Sequence, residues 1–146
     1  MSERIIYGKA APSVYQAMLG IQKFVSGSGL PSGLVDLICL RASQMNGCLF
    51  CIDMHWKDLR AAGEPERRLY MLASWRESKF YSDRERAALL WTESVTRLGE
   101  RGVPDDVYDA VIAHFSESEL AQLTLAIAVI NMWNRLNVAF QTPPAT

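Results

Sequence analysis

The chain has 146 residues, 49% of them hydrophobic and 21% charged, which fits one globular domain and excludes a disordered or collagen-like chain. A chain of this size buries roughly 70% of its extended surface on folding, so its core needs no disulfide or metal staple. The net charge of −1 leaves no basic excess to grip a phosphate backbone, so nucleic acid is not an expected partner.

The periodicity predicts an all-α domain of six to seven helices and no strand. Pro12 stands where a first helical residue belongs, and Val14, Ala17, Met18, Ile21 and Val25 follow at helical spacing. Ser26-Gly27-Ser28-Gly29 ends that helix. Pro31 opens a second, with Leu34, Leu37, Ile38 and Met45 apolar, and Asn46-Gly47 interrupts it. A third runs from near Cys48 to Gly63, and a short fourth covers Glu66 to Ser74. Ser82-Asp83-Arg84-Glu85 is a capping box opening a helix that reaches about Leu98. Pro104-Asp105-Asp106 begins another, ending near Phe115. Ser116-Glu117-Ser118-Glu119 is a second capping box, and its helix extends to about Phe140 before a frayed tail marked by Pro143 and Pro144. No repeat or long linker divides the chain, so residues 1–146 read as a single domain with its motifs at about 31–98.

The start of the chain, Met1-Ser2-Glu3-Arg4, does not read as a secretory signal, and no uninterrupted run of about 20 apolar residues suggests a membrane span. Cys39, Cys48 and Cys51 are too few, and odd in number, for a secreted disulfide framework. The expected location is therefore a reducing cytoplasm, where a close cysteine pair points to catalysis or metal binding. The last helix is apolar on every face: Leu120, Leu123, Leu125, Ile127, Val129, Ile130, Met132 and Trp133. It is expected to be either central to the fold or completed by another subunit. The interleaved charges from Glu64 to Arg101 read as a solvated face with some ion pairs.

One cluster carries chemistry: Gly47-Cys48-Leu49-Phe50-Cys51-Ile52-Asp53-Met54-His55. On a helix, residues three and four apart share a face, so Cys48, Cys51 and His55 line up. Two thiols at this spacing can close a disulfide when the first lies at the helix start, and Gly47 supplies backbone freedom there. The helix N-terminus stabilises a thiolate. A histidine one turn beyond Cys51 can carry its proton. Two other readings stand beside this dithiol site. The three side chains could be zinc ligands, but a structural site needs a fourth. His114 is remote and has no motif around it, and Cys39, between Ile38 and Leu40, reads as ordinary packing. Alternatively, the cysteines could be small buried hydrophobes beside a capping histidine.

The stretch from Leu40 to His55 closely resembles the core of the AhpD-like alkylhydroperoxidases, a group within the carboxymuconolactone decarboxylase superfamily. The resemblance continues through Lys57 to Glu64, resumes from Ser82 to Glu93, and is weaker around Trp133-Asn134-Arg135-Leu136. It implies an all-α fold assembled into trimers or hexamers and a thiol-dependent peroxidase needing no cofactor or metal. In that family the second motif cysteine becomes a sulfenic acid, and the first donates a proton and then resolves it as a disulfide. Those positions here are Cys51 and Cys48. The motif histidine matches His55, and the family's relay glutamate, twelve residues before the first cysteine, falls on Asp36. An aspartate reaches about 1.5 Å less than a glutamate. Helix physics alone favours Cys48 as the more acidic thiol; the adjacent histidine and the family pattern favour Cys51.

The resemblance further implies a hydroperoxide substrate and an external dithiol reductant, either a dihydrolipoyl protein or a thioredoxin-like donor. Two other functions keep the same residues. One is a decarboxylase acting on a lactone acid, indifferent to loss of both thiols. The other is a non-enzymatic oligomer whose cysteine pair senses redox state. Trp56 is expected to pack in the core or an interface, and Trp91 and Trp133 in the core. Glu93 is expected either near the site or on the surface, and His114 to cap its helix.

Overall fold

A computed structural model of the chain describes residues 2–144. Met1, at the start of the segment read for a signal, and Ala145-Thr146, the end of the expected tail, lie outside the described residues. The elements are α1 (Tyr7–Ala10), α2 (Pro12–Ser26), α3 (Ser32–Asn46), α4 (Leu49–Ala61), α5 (Glu66–Tyr70), a 3-10 segment (Leu72–Glu77), α6 (Asp83–Thr96), α7 (Asp105–Ile112) and α8 (Glu117–Phe140). Among the described residues the only β pairing is an isolated bridge between Gly99 and Gly102. The fold is all-α, as expected.

Local chemistry explains most of the boundaries. Both capping boxes form. Ser82 and Ser116 accept from the backbone N–H groups of Glu85 and Glu119, whose carboxylates reach back to the serine N–H groups. Pro12 occupies the first turn of α2, and Pro31 and Pro104 cap α3 and α7.

Two elements differ from expectation. The expected helix at Glu66–Ser74 divides at Met71 and continues as a 3-10 segment to Glu77. Leu69, Leu72 and Trp75 recur every three residues, and all three are buried. Three residues per turn is the 3-10 repeat, so this winding puts Leu72 and Trp75 on one inward face. The short α1 was not expected, because four residues are too few to form a helix by propensity. Tertiary contacts hold it: the Tyr7 ring packs against Tyr15, Trp133 and Phe140, and the Arg4 N–H donates to the Phe140 carbonyl at 2.8 Å.

Helix α3 divides the core. Its Ile38 and Ala42 join one cluster with Leu123, Ile127 and Ile130 of α8 and with both motif cysteines. Its Leu37 and Leu40 join a second with Leu59, Leu69, Leu72 and Leu89. A buried aliphatic side chain of this kind contributes about 2–5 kcal/mol relative to alanine. Helix α8 packs on α2, α3, α4 and α6, which buries Leu120, Leu123, Ile127, Val129 and Ile130, while Leu125, Met132 and Trp133 are only partly buried. By length and composition α8 is also long and apolar enough to cross a membrane, which its interrupted apolar run did not lead one to expect. Its buried Asn131, Asn134 and Asn137 are hydrogen-bonded to other helices, which marks it as a core helix.

Candidate dithiol site

The site begins where α3 stops. Gly47 takes a left-handed conformation (φ 66°) that costs glycine no Cβ clash. Its N–H donates to the Gln44 carbonyl, and the Cys48 N–H donates to the Ser43 carbonyl at 3.0 Å. This pair of bonds closes the helix and turns the chain sharply. Cys48 follows in extended backbone as the N-cap of α4, its Sγ accepting from the Cys51 N–H at 3.3 Å. A sulfur here replaces the hydroxyl or carboxylate usual at an N-cap. One turn on, Cys51 faces back, and the two cysteines are joined in a disulfide with Cα atoms 5.4 Å apart. Both are buried.

His55 lies one further turn along α4 and is buried. Its Nδ1 is 3.3 Å from Oδ1 of Asp36 on α3. The shorter aspartate therefore reaches the imidazole without an intervening water. A carboxylate at one ring nitrogen orients the imidazole and sets which of its two nitrogens faces Asp36.

Asn137, on α8, was not singled out from the sequence. It is buried, donates from Nδ2 to Cys51 Sγ at 3.4 Å, and accepts at Oδ1 from the Tyr7 hydroxyl at 3.0 Å. It ends a row of three asparagines at helical spacing. Asn134 donates to Ser43 Oγ, Asn46 donates to both Asn131 and Asn134, and Asn131 donates to Thr96. These bonds fix the register of α8 against the end of α3, and so place Asn137 over the motif. Asparagines three apart in an otherwise apolar helix were the available signal.

A cavity of about 430 Å³ opens onto Cys51. Tyr7, Tyr15 and Trp133 wall one side; the Tyr15 and Trp133 rings meet edge to face with centroids 6.0 Å apart. Phe50 and Ile130 add apolar surface, and Asp36, His55 and Asp58 form the polar side. Among the described residues no lysine or arginine lines it. Asp36, His55 and Asp58 also form a cluster that could share a cation, but neither motif cysteine belongs to it. Joined in the disulfide, the two cysteines offer no thiolate to a metal.

A family model, that of the carboxymuconolactone decarboxylase family, matches residues 12–94, more than half of the chain. The chain belongs to this family. Within it the resemblance is to the AhpD-like proteins. A solved structure from Agrobacterium tumefaciens, a protein of unknown function whose name proposes AhpD-type antioxidant defence, superposes with a TM-score of 0.96 at 42% identity, covering 99% of each chain. The uncharacterized protein YdfG of Bacillus subtilis is 42% identical over 139 residues, 95% of either chain. The debrominase Bmp8 shares the fold, with a TM-score of 0.83 at 20% identity, over 94% of this chain and 74% of that one.

Of the other residues considered from the sequence, Trp133 and Cys39 line the cavity, and Glu93, Trp56, Trp91 and His114 do not. Glu93 is on α6, inside a cage of Arg41 (2.7 Å), Arg76 (2.6 Å) and the Trp75 indole N–H (2.8 Å), and does not line the cavity. Burial pushes its carboxyl up, but hydrogen bonds from Trp75, Arg76 and Arg41 outweigh this and hold it below the usual carboxylate range. Neither expectation for Glu93, near the site or on the surface, describes it. Trp56 packs against the second core cluster. Trp91 is buried in the first, its indole N–H bonded to Thr124. Trp133, expected as core packing, also forms cavity wall. His114 lies in the turn after α7, where its carbonyl accepts from Arg84. Cys39 is a free, buried thiol whose proton is held more tightly than usual, by burial first and by the Asp36 charge second.

Proposed function

We propose that this protein is a thiol-dependent peroxidase that reduces an organic hydroperoxide, with Cys51 as the reacting sulfur and Cys48 as the resolving one. The observation that carries the reading is the Cys48–Cys51 disulfide, whose Cys51 lines a cavity that the Asp36–His55 pair also lines. In the reduced protein His55, oriented by Asp36, takes the proton of Cys51. The thiolate attacks the peroxide oxygen, the O–O bond breaks, and the proton goes to the leaving alkoxide, giving an alcohol and a Cys51 sulfenic acid. The Cys48 thiol then attacks that sulfur, forming the disulfide and releasing water. A dithiol donor, dihydrolipoyl or thioredoxin-like, reduces the pair by exchange and is itself oxidised to a disulfide.

The cavity bears on the substrate. Hydrogen peroxide needs no 430 Å³ apolar space; an organic substituent does. A lactone acid is an anion, and among the described residues the lining offers it Asp36 and Asp58 but no lysine or arginine. This favours peroxide reduction over the decarboxylation in the family's name. The exposed apolar residues of α2 and α4, including Val14, Phe24 and Leu49, support assembly into a homotrimer or homohexamer. We place the protein in the cytoplasm, with no nucleic-acid or membrane partner.

The test is mass spectrometry of the reduced protein after one equivalent of an organic hydroperoxide, with a sulfenic-acid trap. Rapid formation of the Cys48–Cys51 disulfide, and trapped oxidation on Cys51 in Cys48→Ser, are expected. Full thiol-dependent turnover by Cys51→Ser would refute the assignment. Stoichiometric oxidation with no turnover under any dithiol donor would instead make the protein a redox sensor.

A further inference from the structure

We propose that Asn137 is a catalytic residue: its side-chain amide donates a hydrogen bond to Cys51 and stabilises the thiolate and sulfenate that form there. Tyr7 is the positioning residue behind it. The inference rests on the reading of Cys51 as the reacting sulfur.

The orientation of the amide follows from chemistry. A disulfide sulfur carries no hydrogen, so the 3.4 Å contact to Cys51 exists only with the Asn137 N–H groups turned toward it. The amide oxygen then faces the Tyr7 hydroxyl, which donates to it at 3.0 Å. Burial, the nearby Tyr15 and Glu3 all raise the proton affinity of the Tyr7 phenol, so it remains a neutral donor. The Tyr7 ring is wedged between Tyr15, Trp133 and Phe140. The segment before it is tied to the end of α8 by Arg4, through the backbone bond to Phe140 and a guanidinium bond to the Ala139 carbonyl at 3.1 Å. The donor therefore cannot turn away without unpacking this strap.

Its contribution is differential. A neutral or disulfide sulfur is a weak acceptor, whereas a thiolate is a charged one, and hydrogen bonds to charged acceptors are about twice as strong. The bond strengthens as the nucleophile forms, which is the condition for catalysis by a fixed dipole. Each sulfur also has a different donor: the backbone N–H of Cys51 for Cys48, and the Asn137 side chain for Cys51. The second donor offsets the helix-end advantage of Cys48. Tyr7 and Asn137 both lie outside the span matched by the family model, residues 12–94.

The experiment uses the full chain in a Cys48→Ser background, where Cys51 is a free thiol. Its alkylation by iodoacetamide is followed against pH by mass spectrometry. Asn137→Leu keeps the volume and removes the donor. The midpoint for Cys51 is expected to rise by about one pH unit, with an approximately tenfold slower reaction at neutral pH. Tyr7→Phe, which leaves the core packing intact, is expected to shift it less and in the same direction. Profiles that superpose on the parent for both variants would overturn the proposal. The readout contains no peroxide, so the two ideas fail separately. A shifted midpoint without peroxide turnover keeps the role of Asn137 and removes the peroxidase. Turnover with an unshifted midpoint does the reverse.

Discussion

The carboxylate of Asp36 on α3 meets Nδ1 of His55 on α4 at 3.3 Å, although the two stand nineteen residues apart. The contact spans the turn that carries Cys48, so one helix supplies the imidazole and the preceding helix supplies its charge. If the pair moves the Cys51 proton, its members act as a unit. Asp36→Asn keeps size and removes charge, and is expected to slow hydroperoxide-driven disulfide formation by about 10- to 100-fold. His55→Ala should slow it at least as much, and the double variant no further. Rapid-mixing kinetics with mass-spectrometric detection measures this. Fully additive losses would show two independent roles.

The cavity predicts selectivity. A neutral aryl hydroperoxide can lie against Tyr15 and Trp133, while a hydroperoxide bearing a carboxylate meets Asp36 and Asp58. The neutral substrate is expected to have at least about tenfold higher kcat/KM, the scale of one unfavourable charge contact. Tyr15→Ala should raise KM for the aryl substrate about three- to tenfold and change kcat little, because the ring contributes binding rather than chemistry. Equal kcat/KM for the two substrates would remove the cavity from the specificity argument.

Cys39 lines the same cavity and is nonetheless expected to be inert. Burial and the Asp36 charge keep it protonated, and the thiol is a poor nucleophile. In the reduced native protein, brief alkylation at neutral pH should modify Cys51 and leave Cys39 unlabelled until denaturant is added. Cys39→Ala should still form the Cys48–Cys51 disulfide at the parent rate.

Glu93 predicts a stability effect with a defined pH sign. Its carboxyl is held below the usual range in the fold, so the folded state binds its proton less tightly than the unfolded state does. Its stabilisation is present in full above the unfolded carboxylate pKa of about 4.3 and is lost as pH falls through the lower folded value. Glu93→Gln is expected to cost about 1–3 kcal/mol at neutral pH, since it leaves Arg41 and Arg76 without their carboxylate. The variant should also lose less stability than the parent on acidification. Thermal melts between about pH 3 and pH 7 measure both effects; a variant as stable as the parent at neutral pH would show the cage to be worth little.

Helix class, most boundaries and the motif were legible in the sequence because they are local. A capping box needs residues three apart, and Ser82–Glu85 and Ser116–Glu119 close it within one turn. The motif Cys48, Cys51 and His55 lies on one helix face for the same reason. The winding of Leu72–Glu77, the short α1 and the cage around Glu93 were not legible, since each depends on what packs opposite. Nothing local distinguishes a caged Glu93 from a solvated one.

The residues of this chain by themselves determined an all-α domain with a dithiol motif at a helix start, because periodicity, caps and i, i+3 spacing act within a few residues. Only the tertiary structure decided that Asp36 reaches His55, that Asn137 and Tyr7 stand behind Cys51, and that α8 packs against α2, α3, α4 and α6. Those relations join residues up to 130 positions apart. They are set by how α3 and α8 pack, and that packing is chosen by the whole core together and by no single segment of the chain.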